Sequence, residues 1–124
     1  MKNLNKDIGS YAESLAQKFL TKHGYKILDC NFRNALGEID IICTKNKILI
    51  VAEVKSRYSN QYGTPREAVS YLKQKSIIKV TRSYIIYKKM HNINVRFDII
   101  EVYFNSYDNS FKISHIKDAF RLSQ

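Results

Sequence analysis

Two neighbouring runs, 38–44 (EIDIICT) and 47–57 (KILIVAEVKSR), are apolar at nearly every position. A strand with one wet face alternates, whereas a strand covered on both faces reads as a continuous apolar run. Lys45 and Asn46 join the two runs, and Asn46 tolerates the positive φ of a tight turn, so the stretch predicts a hairpin. A hairpin of this kind has to lie inside a sheet with cover on both sides.

The rest of the chain supplies that cover. Residues 6–23 place Ile8, Ala12, Leu15, Ala16, Phe19 and Leu20 on one helical stripe, and Gly24 is a natural stop. Glu13 sits at the edge of that stripe, where a carboxylate is ordinarily a solvated boundary residue. Residues 25–32 read as a strand ahead of the hairpin. After it, Thr64 as cap, Pro65 and Glu67 open a helical region. Ser70 offers a second cap for a helix starting near Lys73, and Ile77, Val80, Thr81, Tyr84 and Ile85 continue with helical spacing. Residues 94–104 and 110–116 predict two more strands, turned by 107–110, and 117–123 a short tail of one helical turn. The expected order is αβββαββ: an α/β sandwich around a mixed sheet, in one domain spanning 1–124.

Twenty-one Lys and Arg against eleven Asp and Glu give a net charge of +10. Such a balance suits a polyanionic partner, most simply nucleic acid; the competing reading is solubility alone. The nine Tyr and six Phe fall mostly at strand or helix spacing and read as core. No signal-peptide core and no apolar run near the ~20 residues of a membrane span is found, so a cytoplasmic protein without a membrane partner is expected. Cys30 and Cys43 lack ligand spacing and read as buried free thiols.

Charge inside the greasy hairpin is the odd feature. Asp40, Glu53 and Lys55 interrupt runs where burial makes charge costly. Glu53 and Lys55, two apart, share a strand face. With Lys45 and Asn46 as the turn, Asp40 faces Val51 and lies diagonal to Glu53; a four-residue loop would place it opposite Glu53, and an odd loop would part the two. Converging carboxylates repel, and a divalent cation such as Mg²⁺ or Mn²⁺ resolves the repulsion with oxygen ligands. Lys55 then adds positive charge where phosphoryl transfer builds negative charge. The competing reading is a structural ion-pair cluster. Elsewhere, Lys73 and Gln74 lie where a helix N-terminus could meet a phosphate. Arg57 and Arg66 either grip a nucleic-acid backbone or are solvated. Glu38 is a candidate spare ligand, although at a strand's start it reads rather as a solvated residue or a partner for Arg33, and Asp98 reads as a buried partner for Arg96 or a tyrosine. His23, His91 and His115 show no ligand spacing.

Asp40 followed by Glu53-Val54-Lys55 resembles the bipartite signature of the PD-(D/E)XK nuclease superfamily. More narrowly, GSYAESLAQKFL, GYKILDCNFR, GEIDII, VAEVKSR, YGTPREAV, the Lys73-Gln74 pair and RFDIIEV, spanning Gly9 to Val102, resemble the YraN-like family of uncharacterised bacterial proteins. The resemblance implies a restriction-endonuclease-like three-layer sandwich. It also implies Asp40, Glu53 and the Val54 carbonyl as ligands of Mg²⁺ or Mn²⁺, with Lys55 as the catalytic lysine. Similarity to the Holliday-junction-resolvase branch adds Glu13 to the site. Ile39-Asp40 stands where the superfamily has Pro-Asp. The expected function is a metal-dependent endonuclease acting on nucleic acid, DNA first, branched or damaged, in repair or recombination. The alternative is a non-catalytic nucleic-acid-binding accessory that keeps the fold. Junction cutters need two sites, so a homodimer is also expected.

Overall fold

The computed structural model describes the backbone of residues 4–58 and 69–121, and side chains from Ile8 onward within those ranges. Among them the order is α1 (Leu4–Lys22), β1 (Lys26–Asn34), β2 (Gly37–Lys45), β3 (Ile48–Tyr58), α2 (Tyr71–Tyr87), β4 (Asn94–Phe104) and β5 (Phe111–Phe120). The five strands form one sheet in sequence order. Neighbours are antiparallel except β3 and β4, which run parallel because the chain returns through α2 between them. The fold is a mixed α/β one.

Side-chain alternation along β3 explains why its sequence does not alternate. Leu49 and Val51 pack with Ile42, Ile77, Val80 and Tyr84, the core under α2. Ile50 and Ala52 pack with Ala12, Leu15, Ala16 and Leu20, the core under α1. Each face of the hairpin is thus covered by a helix. The α1 stripe is the expected one, and Gly24 ends the helix at φ +88. Ser70 caps α2, its hydroxyl accepting from the Lys73 N–H at 3.2 Å. The expected helix start at Thr64, Pro65 and Glu67 lies outside the described residues. No helix among the described residues is long and apolar enough to cross a membrane.

The β1–β2 turn rests directly on α2. The Ser76 hydroxyl donates to the Leu36 carbonyl at 2.9 Å and the Asn34 amide to Ser83 Oγ at 2.8 Å. Gly37 (φ +149) permits this approach, since a Cβ there would collide with Ser76 Oγ.

Two expectations need correction. Lys45 pairs with Ile48, so the β2–β3 turn is Asn46-Lys47, one residue later than expected. Both residues have positive φ, 52 and 65, as a two-residue hairpin turn demands. Residues 117–120 continue β5 instead of forming a helical turn. A bulge makes this possible: Phe97 pairs with Phe120 but Ile99 with Ile116. Asp118 takes φ 55 inside the bulge and donates its N–H to Asp98 Oδ1 at 3.0 Å. Ala119 and Phe120 gain burial in the α2-side core, which outweighs the weak local preference for a helix.

Candidate functional site

Pairing between β2 and β3 ends at Ile41 and Ala52, and one step beyond, Asp40 stands opposite Glu53. The expected partner was Val51; the one-residue displacement of the turn moves Asp40 along to Glu53. Side chains continue the ladder there. The Asp40 N–H donates to Glu53 Oε2 at 3.3 Å, and the Val54 N–H donates to Asp40 Oδ2 at 2.9 Å. Each carboxylate therefore holds the other strand's backbone. Ile41 packs in the α1-side core but Ile39 in the α2-side core, so the alternation breaks across Asp40. That break opens Asp40 to charges on both helices, Glu13 of α1 and Lys73 of α2.

Burial sets the electrostatics. Glu53 is 2% exposed. Desolvation and then the Asp40 charge push its carboxyl up to about 8, against the pull of Lys73, the Asp40 N–H and Lys55. Burial raises Asp40 as well, although the Val54 N–H and Lys73 oppose it. Glu13 is raised by burial and then by Asp40, and its Oε1 is buried with no hydrogen-bond partner. Lys73 Nζ lies 3.8 Å from Glu53 Oε1. Three carboxylates from α1, β2 and β3 thus raise one another or are raised by burial, with lysines of β3 and α2 as the counterweight.

Other expected residues separate from this centre. Arg57 is largely taken up by an ion pair: its Nε lies 3.2 Å from Glu101 Oε1, and Glu101 is fully buried on β4. Lys55 and Glu101 are register partners on the parallel strands. Sequence reasoning passed over Glu101, though a carboxylate between Ile100 and Val102 is the same kind of signal that drew attention to Asp40. Gln74 spends its amide on the Val69 carbonyl at 2.9 Å, holding the start of α2. Glu38 pairs with Arg33 at 3.7 Å on the surface. Arg66 lies outside the described residues.

Asp98 forms a second charged centre, on the α1 side. It accepts from Arg96 Nε at 2.9 Å and Arg96 Nη2 at 2.8 Å, lies 2.7 Å from His115 Nε2, and takes the Asp118 N–H. Arg96 also donates to the Tyr25 hydroxyl at 3.1 Å. Burial alone would raise Asp98, but the bonds from His115, Arg96 and Asp118 outweigh it and hold the carboxyl below its ordinary value. The Arg96 partnership was expected; His115 was not, because its neighbour is 17 residues away and only the β5 register brings it in.

A hard divalent cation fits the Asp40–Glu53 pair. The donors are carboxylate oxygens, one buried and one half-buried, which repel each other, and Glu13 brings a further oxygen without a partner. Asp40, Glu53 and the Val54 carbonyl are the groups that would hold it. Among the described residues no three His, Cys, Asp or Glu side chains gather closely enough to hold a metal ion unaided. Two carboxylates suit Mg²⁺, which keeps several waters.

A family model described as "Uncharacterised protein family UPF0102" matches residues 12–102. The chain is similar to the UPF0102 protein of Clostridium beijerinckii, 67% identical over 123 residues, 99% of this chain and 100% of that protein. It is also similar to a UPF0102 protein of Clostridium botulinum (63% over 121 residues; 98% and 99%). A third such relative is from Clostridium perfringens (48% over 122 residues; 98% and 100%). The matched span contains Glu13, Asp40, Glu53, Lys55, Lys73 and Glu101, whereas His115 and Asp118 of the second centre fall beyond it.

Proposed function

The chain belongs to the UPF0102 family of uncharacterised proteins, and from that premise we propose that it is a metal-dependent nuclease with a restriction-endonuclease-like fold. The substrate class is nucleic acid, DNA first. One observation carries the reading: a buried carboxylate, Glu53, and a half-buried one, Asp40, face each other across adjacent strands and each is positioned by the other strand's amide. Two like charges so placed, with a half-exposed lysine at 3.8 Å as the recorded counter-charge on Glu53, favour a bound cation. Mg²⁺ or Mn²⁺ bound there would polarise the scissile phosphate and activate water. Asp40 and Glu53 orient that centre through their fixed geometry. Lys55, two residues on along β3, offers its ammonium to charge that builds on the phosphate in the transition state. Glu13, raised by burial and then by the Asp40 charge, is suited to hold a proton near the reacting water. The net charge of +10 favours approach to a polyanion.

Labelled linear, flapped, single-stranded and four-way DNA, with matched RNA, incubated with Mg²⁺ or Mn²⁺ test the reading. Cleavage lost in Asp40→Asn and Glu53→Gln is the expected result. Binding without cleavage by the wild type on every substrate would favour the accessory reading instead.

A further inference from the structure

Lys73 is on the wrong end of its helix. It lies in the first turn of α2, where the exposed N–H groups already carry positive partial charge and a cation is disfavoured. That turn holds no acidic residue to compensate it. Among the described residues its recorded ion-pair partner is Glu53, at 3.8 Å, and through that contact its charge also bears on Asp40. The Ser70 cap fixes the Lys73 backbone, while the side chain is 46% exposed. Glu53, by contrast, is buried and held in place. One partner is buried and the other reaches solvent.

Resting on the metal-site reading above, we propose that Lys73 is the resident counter-ion of the Asp40–Glu53 pair, displaced toward a substrate phosphate when a divalent cation takes its place. An ammonium and a divalent cation cannot share these carboxylates without repelling each other. A phosphate supplies the anion that draws the ammonium off, and the positive end of α2 points the same way. Metal and nucleic acid therefore bind cooperatively: the free protein resists metal, and each ligand raises the affinity for the other by the same factor. The device keeps the carboxylates neutralised until a substrate arrives.

Mn²⁺ titrations of the full chain test this by calorimetry and by the spin resonance of free Mn²⁺, with and without a hydrolysis-resistant phosphorothioate duplex. Lys73→Gln should bind Mn²⁺ more tightly than wild type without DNA, on the order of tenfold, within the usual range of coupling between sites. The duplex should raise wild-type Mn²⁺ affinity and leave that of Lys73→Gln nearly unchanged. Lys73→Arg should restore the wild-type pattern. Lys75→Gln removes an equal charge one residue beyond Gln74, where the ammonium lies over the Tyr71 ring, and should behave as wild type. Equal Mn²⁺ affinity in wild type and Lys73→Gln overturns the counter-ion role and leaves the nuclease reading standing. No Mn²⁺ binding by either protein, with or without duplex, overturns both.

Discussion

Two buried acidic centres in one sheet are built on opposite terms. At Asp98 every available donor is turned inward: a guanidinium, an imidazole and a bulged backbone amide converge on one carboxylate, which is held below its ordinary range. At Asp40 and Glu53 two carboxylates converge on each other, with one amide apiece and a lysine at 3.8 Å, and both are pushed up. Glu53 is nearly as buried as Asp98, so burial alone does not separate the two centres. Satisfaction does. The first centre is complete within the chain and locks β5 to β4, while the second is balanced only by a half-exposed lysine at 3.8 Å. A buried acid that collects a guanidinium, an imidazole and an amide reads as structure, and one left to a single amide and a half-exposed lysine reads as a site.

The largest effect that sharpens the contrast is on cleavage. Asp40→Asn and Glu53→Gln should fall below detection in a metal-dependent assay, and Lys55→Ala should lose about 10²–10³-fold, the usual worth of one transition-state donor. Asp98→Asn should cleave normally wherever it remains folded. If Asp98→Asn abolishes cleavage in a protein that still melts cooperatively, the division of labour collapses.

Next comes stability. Asp98→Asn strands the buried side of Arg96 and should cost about 3 kcal/mol in urea unfolding. Glu53→Gln without metal relieves repulsion and should be neutral or slightly stabilising. Equal destabilisation by both would return Asp40 and Glu53 to the class of structural ion clusters.

The two centres should also answer pH in opposite senses. Glu53 binds its proton more tightly folded than unfolded, so metal-free stability falls as pH rises from 4.5 to about 8. Asp98 binds its proton less tightly when folded, so its contribution is present above 3.8 and is lost as pH falls through its lower folded value. Melting curves across pH should show the first decline in wild type and a flatter profile in Glu53→Gln. An unchanged decline in that variant assigns it to another group.

The smallest effect concerns the substrate's phosphates. DNA affinity should fall with salt at a log–log slope of about −0.9 per phosphate neutralised, and Lys73→Gln should flatten it by about one such contact. Arg57→Gln should leave the slope alone, because Glu101 already takes up that charge. A slope reduced by both variants would mean that Arg57 reaches the backbone despite its buried partner.

Much of this was legible in the chain. The two-sided apolar runs gave the covered hairpin, and the α1 stripe, the Ser70 cap and the order of elements follow from spacing. The carboxylates stood out because Ile, Val and Ala surround them. What escaped did so for identifiable reasons. A turn displaced by one residue is invisible when Asn46 suits either placement, yet it decides whether Asp40 meets Val51 or Glu53. The β5 extension depends on Asp98 accepting an amide from Asp118, a contact between strands that local propensity does not encode. His115 and Glu101 acquire their partners only through register, and register between β4 and its neighbours is set by the whole sheet.

The parallel pairing of β3 with β4 has a consequence in time. Asp40 and Glu53 are 13 residues apart across a two-residue turn, a contact of the kind hairpins make in about 1–10 μs. Pairing β3 with β4 closes a much longer loop, because α2 intervenes, and such non-local closure is slower. The carboxylates therefore meet early, while water still screens them, and are dehydrated only when the second half of the sheet docks. Their repulsion bears on the last step of assembly instead of the first. A nascent chain can form its hairpin freely, and the strain of the acidic pair is felt only by a protein that has finished folding around it.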